Sequence, residues 1–292
     1  MNNSLQIKFS ICMKATNQVE RFFKLAQKKI KLTAHAFRPD TIYGRVSGEK
    51  VVLTSIPKSG TNLIYQLLFQ LPHYRLYTGR GLRPWMFSSD SALAQKISKV
   101  RKGQILPGHI PALADVLNTV ESGNIKVLFM IRDPRDVLLS HLKYVTHIDK
   151  THPTHQFFKE LENDEARMKA LLFGVDGVVE SIPAVYSKYK SWTTCKNAIT
   201  IRFERLVGKQ GGGDKVAQLA EIHRIVNQLN MDVTDNKIDE LSDQIFKTDS
   251  ETFRSGKINQ WKEIYSPSQI DLIKQQLGTV LIDYGYEEDE KW

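Results

Sequence analysis

The sequence predicts a single α/β domain with a central, mostly parallel β-sheet flanked by helices. Three short runs of apolar residues carry this prediction, because each is continuous rather than alternating, as in strands that are buried on both faces. These runs are Val51–Ile56, Val127–Ile131 and Ala198–Phe203. Apolar residues at helical spacing follow each run, and strands that alternate with helices are typical of a parallel sheet.

The first strand leads into a tight loop, Pro57–Thr61, and then into a helix that Pro72 ends. A strand, tight loop and helix in this order direct the free N–H groups of the helix N-terminus at an anion. Lys58 adds a positive charge, and Ser59 and Thr61 add hydroxyl donors. The loop therefore predicts a phosphate site, although similar turns with a solvated lysine occur in α/β proteins that bind no phosphate.

The second strand leads into the sequence RDPRD, which opens another helix. Asp133 is a good N-cap, and Pro134 suits the first helical position. Arg132 at the strand tip and Ser140 in the helix can meet one anion. Equally, Arg132 can form a salt bridge with Asp136, and the residues alone leave both alternatives open.

The third strand is followed by a helical pattern over residues 216–229. Near the end of the chain, Ser266 and Gln269 match the capping box, which predicts a helix start at that point.

Two loop stretches carry side chains that suit a pocket. His109 lies in ILPGHIP between two prolines, but a lone loop histidine is more often structural than catalytic. The second stretch, residues 73–89, follows the first helix and contains several aromatic residues. These residues, and an aromatic residue of the second helix, either line a pocket or pack against the core. The candidates for a substrate pocket are Tyr77, Trp85, Phe87 and Tyr144.

A weakly patterned stretch, Thr146–Gly177, contains His147, His152 and His155. No cysteine accompanies them, so solvated histidines are favoured over a metal site, and no metal is expected.

Composition limits the class of partner. The 292 residues carry a formal net charge of +9, which favours an anionic partner such as a nucleotide, a nucleic acid or a membrane surface. With two cysteines and no apolar run of about 20 residues, we expect a cytoplasmic protein without a membrane span. Residues 1–45 form a predicted basic helical extension before a domain over 46–292. That extension either packs on the domain or makes weak peripheral contact with a membrane.

Four segments, in order, resemble motifs of the sulfotransferases that use 3′-phosphoadenosine 5′-phosphosulfate (PAPS). The segments are PKSGT (57–61), GHIP (108–111), FMIRDPRDVLLSHLKY (129–144) and FRSGKINQWK (253–262). The resemblance extends over about residues 51–286, and the run that begins RFERLVGKQGGG is most like bacterial members. It implies a fold like that of the P-loop NTPases.

The resemblance implies a role for each matched residue. Lys58 would contact the 5′-phosphate and the bridging oxygen, and His109 would be the general base. The remaining cofactor-binding residues that it implies are Ser59, Gly60, Thr61, Asn62, Arg132, Ser140, Phe203, Arg254, Ser255 and Gly256. At five positions the chain departs from the family. Leu63 replaces the adenine-stacking Trp of the cytosolic animal enzymes, and Phe203 replaces a Tyr. Pro107 and Ser255 each replace a Lys, and Asn259 replaces a Gly.

The resemblance therefore implies transfer of a sulfuryl group from PAPS to a hydroxyl, or an amine, of a small-molecule, glycan or lipid acceptor. Adenosine 3′,5′-bisphosphate would be the other product, and no metal would be required. Two alternatives stay open. A P-loop-type nucleotide kinase shares the fold, although the loop lacks the required order of Gly and Lys. A non-enzymatic basic protein that binds nucleotides or nucleic acid shares the charge, although no nucleic-acid-binding motif is present.

Overall fold

The computed structural model of the protein describes residues 48–71, 74–76, 81–246 and 256–292. The predicted N-terminal extension, residues 1–45, lies outside this part of the chain, as do Tyr77, Arg254 and Ser255. The domain boundary after residue 45 therefore stays a prediction.

A five-stranded sheet lies at the centre of the described residues, and every strand pairing in it is parallel. The strands are β1 (Val51–Ser55), β2 (Arg75–Leu76), β3 (Gln104–Gly108), β4 (Lys126–Ile131) and β5 (Ala198–Arg202). Their order is β2-β3-β1-β4-β5, so β1 is the central strand and the loop after it lies between the ends of β3 and β4.

Helices cover both faces of the sheet. They are α1 (Thr61–Leu68), α2 (Asp90–Ser98), α3 (Ala114–Ser122), α4 (Pro134–Lys143), α5 (His155–Glu160), α6 (Asp164–Phe173), α7 (Ile182–Tyr189), α8 (Phe203–Leu206), α9 (Lys215–Gln228), α10 (Asp235–Gln244), α11 (Trp261–Ile264) and α12 (Pro267–Asp283). A π-helical turn, Tyr144–Ile148, continues α4. The predicted α/β class with a parallel sheet flanked by helices is confirmed.

The core has two layers because successive residues of a strand point to opposite faces. In β4, Val127 and Phe129 pack in the layer that includes α4, α6, α7 and α12, while Leu128 packs in the layer with α1, α9 and α10. Both layers are fully buried here, which is why the strands read as continuous apolar runs.

The predicted helix starts are confirmed in their hydrogen bonds. The side chain of Asp133 accepts from the backbone N–H of Arg135 (2.9 Å), and Ser266 and Gln269 form a reciprocal capping box. The weak pattern of Thr146–Gly177 predicts no helix, yet α5 and α6 both lie there. No helix among the described residues combines the length and the apolar character that crossing a membrane demands.

Candidate active site

The loop between β1 and α1 has two residues in the left-handed backbone region. Lys58 has φ = 71° and Gly60 has φ = 92°. These angles turn the chain sharply, so that α1 starts at Thr61, directly beyond the carboxyl end of the central strand. Ser59 is buried in the turn, and its backbone N–H donates to the carbonyl of Ile56 (3.1 Å). The predicted strand, turn and helix are confirmed, although the helix ends at Leu68 and not at Pro72.

Two buried donors at this end of the sheet have no hydrogen-bond partner among the described residues. They are the hydroxyl of Ser59 and the Nε of Arg132, whose residue is only 7% exposed. A buried donor without an acceptor costs about 1–3 kcal/mol. Oxygen atoms of a bound anion would satisfy both, so the residues present fit a phosphate-bearing ligand.

Phe203 joins the β1–α1 loop to Arg132. A Cβ atom built on Gly60 would lie 2.4 Å from its ring, and the guanidinium of Arg132 stacks over the ring at 4.4 Å. Phe203 is the first residue of α8 and is 4% exposed. It therefore contributes packing to the predicted cofactor site. Leu63, on α1, is buried in the core and offers no surface for stacking.

Replacing Gly60 tests this packing. We expect Gly60→Ala to lower the free energy of unfolding by about 2–5 kcal/mol, because a left-handed backbone costs about 1–2 kcal/mol and overpacking about 1–3 kcal/mol. Gly177→Ala is the matched control, since Gly177 has φ = 69° but nothing within 4 Å of its Cβ position. Urea unfolding of both variants measures the difference. Equal losses would show that Phe203 yields without cost.

Arg132 binds both α4 and the C-terminal segment. Its Nη2 donates to the carbonyl of Lys257 (2.8 Å) and lies 3.4 Å from Asp136. Asp136 also accepts from the backbone N–H groups of Asn259 (3.0 Å) and Trp261 (3.2 Å). Burial raises the pKa of Asp136, and the charge of Arg132 opposes that rise. The salt bridge with Asp136, one of the two sequence alternatives for Arg132, is therefore present through Nη2. The Nε has no acceptor among the described residues, and the contact with an anion stays a prediction.

The left-handed backbone explains one departure from the family pattern. Asn259 has φ = 58°, a conformation that Gly adopts freely and that Asn tolerates better than other residues. Gly256, at φ = 58°, precedes Lys257, whose carbonyl accepts a hydrogen bond from Arg132. This segment is therefore held beside Arg132. Ser140 is half-buried on α4, and Asn62 is exposed on α1.

His109 follows β3 and is fixed by its neighbours. The Nδ1 atom lies 2.9 Å from the carbonyl of Ser55, the last residue of β1. The next residue, Ile110, is bound through its N–H and its carbonyl to the Thr54 hydroxyl (both 2.9 Å). Trp192 also donates to the Ile110 carbonyl (2.9 Å). Because a carbonyl only accepts, Nδ1 carries the proton, which leaves the lone pair on Nε2.

The surroundings keep the His109 imidazole neutral. Burial lowers its pKa to about 4, the Ser55 carbonyl opposes this, and the positive charges of Arg83 and Lys58 lower the pKa further. A neutral imidazole with a free Nε2 is able to accept a proton at neutral pH.

Lys58 meets a second group of side chains that α4 and the π-helical turn supply. Its Nζ lies 3.5 Å from the centre of the Tyr144 ring, and the Tyr144 hydroxyl donates to Asp149 (2.9 Å). His152 lies with its ring 6.0 Å from the Tyr144 ring and 6.5 Å from that of His141. Burial lowers the pKa of His141 to about 4, and the charges of His152 and Lys58 contribute.

The structure therefore brings three further residues close to His109 or Lys58. Arg83 and His141 were not indicated by the sequence, and His152 was expected to be a solvated histidine. A signal existed for His141, because a polar residue among the apolar positions of a helix is informative. Of the predicted pocket residues, Trp85 is 74% exposed, Phe87 packs against the core, and Tyr144 lies at the site. His152 and His155 hydrogen-bond separately, to Thr154 and to the Val145 carbonyl. In the described part of the chain, no three acidic, histidine or cysteine side chains are grouped as metal ligands.

Comparison with known proteins shows which family and which solved structures this chain is similar to. Residues 48–285 match the family described as the sulfotransferase domain. The structure is similar to mouse sulfotransferase SULT7A1 complexed with PAP (TM-score 0.60, 18% identity, 82% of this chain and 88% of that one). It is also similar to retinol dehydratase in complex with androsterone and the inactive cofactor PAP (TM-score 0.53, 14% identity, 79% and 80%). No curated protein matches the sequence significantly. The predicted fold is confirmed.

Proposed function

This chain belongs to the sulfotransferase domain family, and on that premise we propose that it transfers a sulfuryl group from PAPS to a hydroxyl of a small-molecule acceptor, with His109 as the general base. One observation carries the proposal. The neutral His109, held by the last residue of β1, and the cation of Lys58, in the loop that follows, act on each other at the same end of the sheet. The base suits the acceptor hydroxyl, which loses its proton, and the cation suits the departing phosphate oxygen, which gains negative charge.

Two groups of residues in this chain would hold the two phosphate groups of the cofactor. The β1–α1 loop would hold the 5′-phosphosulfate through Lys58, the Ser59 hydroxyl and the backbone of residues 60–62, at the N-terminus of α1. Arg132, Ser140 and the segment 254–256 would hold the 3′-phosphate. The unpartnered Ser59 hydroxyl and Arg132 Nε support this assignment, since each lies in one half of the set.

PAPS, when bound, supplies the sulfuryl group: the bond from acceptor oxygen to sulfur forms as the bond from sulfur to phosphate oxygen breaks. His109 Nε2 takes the proton of the acceptor hydroxyl, so the imidazole becomes an imidazolium hydrogen-bonded to Ser55. Lys58 stabilises the negative charge that develops on the departing phosphate oxygen. The chain thereby positions the reactants and compensates charge, as enzymes of phosphoryl transfer do.

The test is a transfer assay with sulfur-labelled PAPS and a panel of phenols, aliphatic alcohols and sugars, with and without EDTA. We expect label in at least one acceptor, at an undiminished rate in EDTA. A parallel assay with γ-labelled Mg·ATP covers the kinase alternative. Transfer from ATP, with none from PAPS, would contradict the proposal.

The acid limb of the pH profile should lie well below that of an ordinary histidine. His109 accepts a proton only when neutral, and its pKa is lowered from 6.5 to about 4. We therefore expect kcat/KM, which reports the free enzyme, to stay constant from neutral pH to about pH 5 and to fall as the pH passes through about 4. Circular dichroism at each pH separates this fall from unfolding. A limb near pH 6.5 would contradict a desolvated, cation-flanked base.

A further inference from the structure

A short segment runs beside the end of β3 and places Arg83 next to His109. Leu82 pairs with Gly108 in parallel register, donating to the carbonyl of Pro107 (2.8 Å) and accepting from the N–H of His109 (2.9 Å). Gly108 permits this approach, since a Cβ there would lie 2.6 Å from the Leu82 carbonyl. In parallel pairing, residues that follow a register pair point to the same side. Arg83 and His109 are therefore neighbours on one face.

Arg83 has no acidic partner among the residues that the structure describes. Its side chain is exposed, and its guanidinium lies 5.4 Å from the ring of Trp85, which is itself 74% exposed. Two described arginines near the end of β4 are engaged in ion pairs: Arg132 pairs with Asp136, and Arg135 pairs with Asp133 and Glu287. An exposed cation beside the base, with an exposed aromatic ring next to that cation, forms a surface that a ligand can use.

The position of Arg83 relative to the central strand indicates which ligand it binds. The order β3-β1-β4 puts Arg83, beside β3, and Arg132, at the end of β4, on opposite sides of the central strand. The phosphates of the cofactor are assigned to the β1–α1 loop and the β4 side. The β3 side, where the Nε2 of His109 must meet the hydroxyl that it deprotonates, is left for the acceptor.

The groups around this space are mostly basic. Lys58 and Arg83 both act electrostatically on His109 and on His152. Among the residues that the structure describes, the carboxylate that acts on His152 is Asp149, which already accepts hydrogen bonds from Tyr144 and from Thr151. A neutral apolar acceptor gains nothing from such a surface, whereas an acidic one is attracted to it.

We propose that Arg83 binds an oxyanion of the acceptor, so that the preferred acceptor is a hydroxylated acid rather than a neutral alcohol. The inference rests on the proposed sulfuryl transfer and deepens it. Arg83 is a specificity residue in this account: it pairs with the acid group while His109 takes the proton of the hydroxyl. Guanidinium groups suit this task because their paired N–H donors match the geometry of carboxylates and other oxyanions.

The test uses acid and amide pairs that differ in charge but hardly in shape. Three scaffolds cover the acceptor classes: 3-(4-hydroxyphenyl)propionate, 6-hydroxyhexanoate and glucuronate, each with its amide. For each scaffold that is sulfated, we expect kcat/KM for the acid to exceed that for the amide by about tenfold, the value of one charge-assisted hydrogen bond. Arg83→Gln should remove this preference, while Arg101→Gln, an exposed arginine before the amino end of β3, should keep it.

Each other outcome overturns the inference. Equal or better use of the amides, a preference that survives in Arg83→Gln, or sulfation of neutral alcohols without any of the three acids would show that Arg83 does not select the acceptor. A raised KM for PAPS in Arg83→Gln would place Arg83 on the cofactor. Failure of the protein to bind adenosine 3′,5′-bisphosphate would instead overturn the proposed function, and the acceptor inference with it.

Discussion

His109→Ala is expected to reduce kcat for sulfuryl transfer by at least ~10²-fold, because loss of a general base usually costs ~10²–10⁴. Binding of adenosine 3′,5′-bisphosphate should change little, since the proposed function places His109 next to the acceptor and not next to the phosphates. The structural reason is specific. Nδ1 donates to the Ser55 carbonyl, so Nε2 is the only ring nitrogen that can accept the proton of the acceptor.

The control for this substitution is His223→Ala. His223 is a partly exposed histidine on α9 that lies 3.5 Å from Asp235 and has no contact with the site. It should leave kcat unchanged. A His109→Ala enzyme that keeps more than about a tenth of the wild-type kcat would exclude His109 as the base, because the effect would fall below the range for such groups.

Lys58→Ala is expected to lower kcat by about 10²-fold or more, beyond any change in affinity for PAPS. The charge of Lys58 matters most as the leaving oxygen becomes negative, and removing one such group typically costs ~10²–10³ in kcat. Lys58 is held in a left-handed conformation with its ammonium over the Tyr144 ring, so its position depends on both the loop and the π-helical turn that continues α4. Single-turnover kinetics separate the chemical step from binding.

Lys99→Ala is the matched control, since Lys99 is an exposed lysine at the end of α2. It should behave as wild type. If Lys58→Ala raises only the KM for PAPS and leaves kcat unchanged, Lys58 is a ligand of the ground state, and the role given to it in stabilising the leaving group is wrong.

Local signals in the sequence predict the phosphate side of the site. Each of these signals lies within a few consecutive residues: the continuous apolar strands, the Pro-Lys-Ser-Gly-Thr turn and the Asp-Pro helix start. The structure has β1, α1, β4 and α4 where these signals place them. The N-terminal extension and Arg254 fall outside the described residues, so they stay predictions.

The part of the site that we assign to the acceptor, around His109 and Arg83, depends on contacts that no local pattern records. Strand β3 contains Pro107, and Pro111 follows it closely, so this stretch of sequence is typical of a loop. It is a strand because it pairs with β1. Arg83 reaches His109 because Leu82 pairs with Gly108 across 26 residues of chain. His152 comes near Lys58 through a helix, a π-helical turn and a loop. Their proximity is a property of the fold.

The most direct test of the account measures thermal stabilisation by adenosine 3′,5′-bisphosphate and by Mg·ATP, each with and without EDTA. At a hundred times its Kd, the bisphosphate should stabilise the protein by about 2.7 kcal/mol and raise Tm by about 5 °C, in EDTA as well. The rise should be absent in Arg132→Ala, judged against the Tm of that variant without ligand, and present in Arg101→Ala. Stabilisation by Mg·ATP, with none by the bisphosphate, would contradict the sulfotransferase site and favour the kinase.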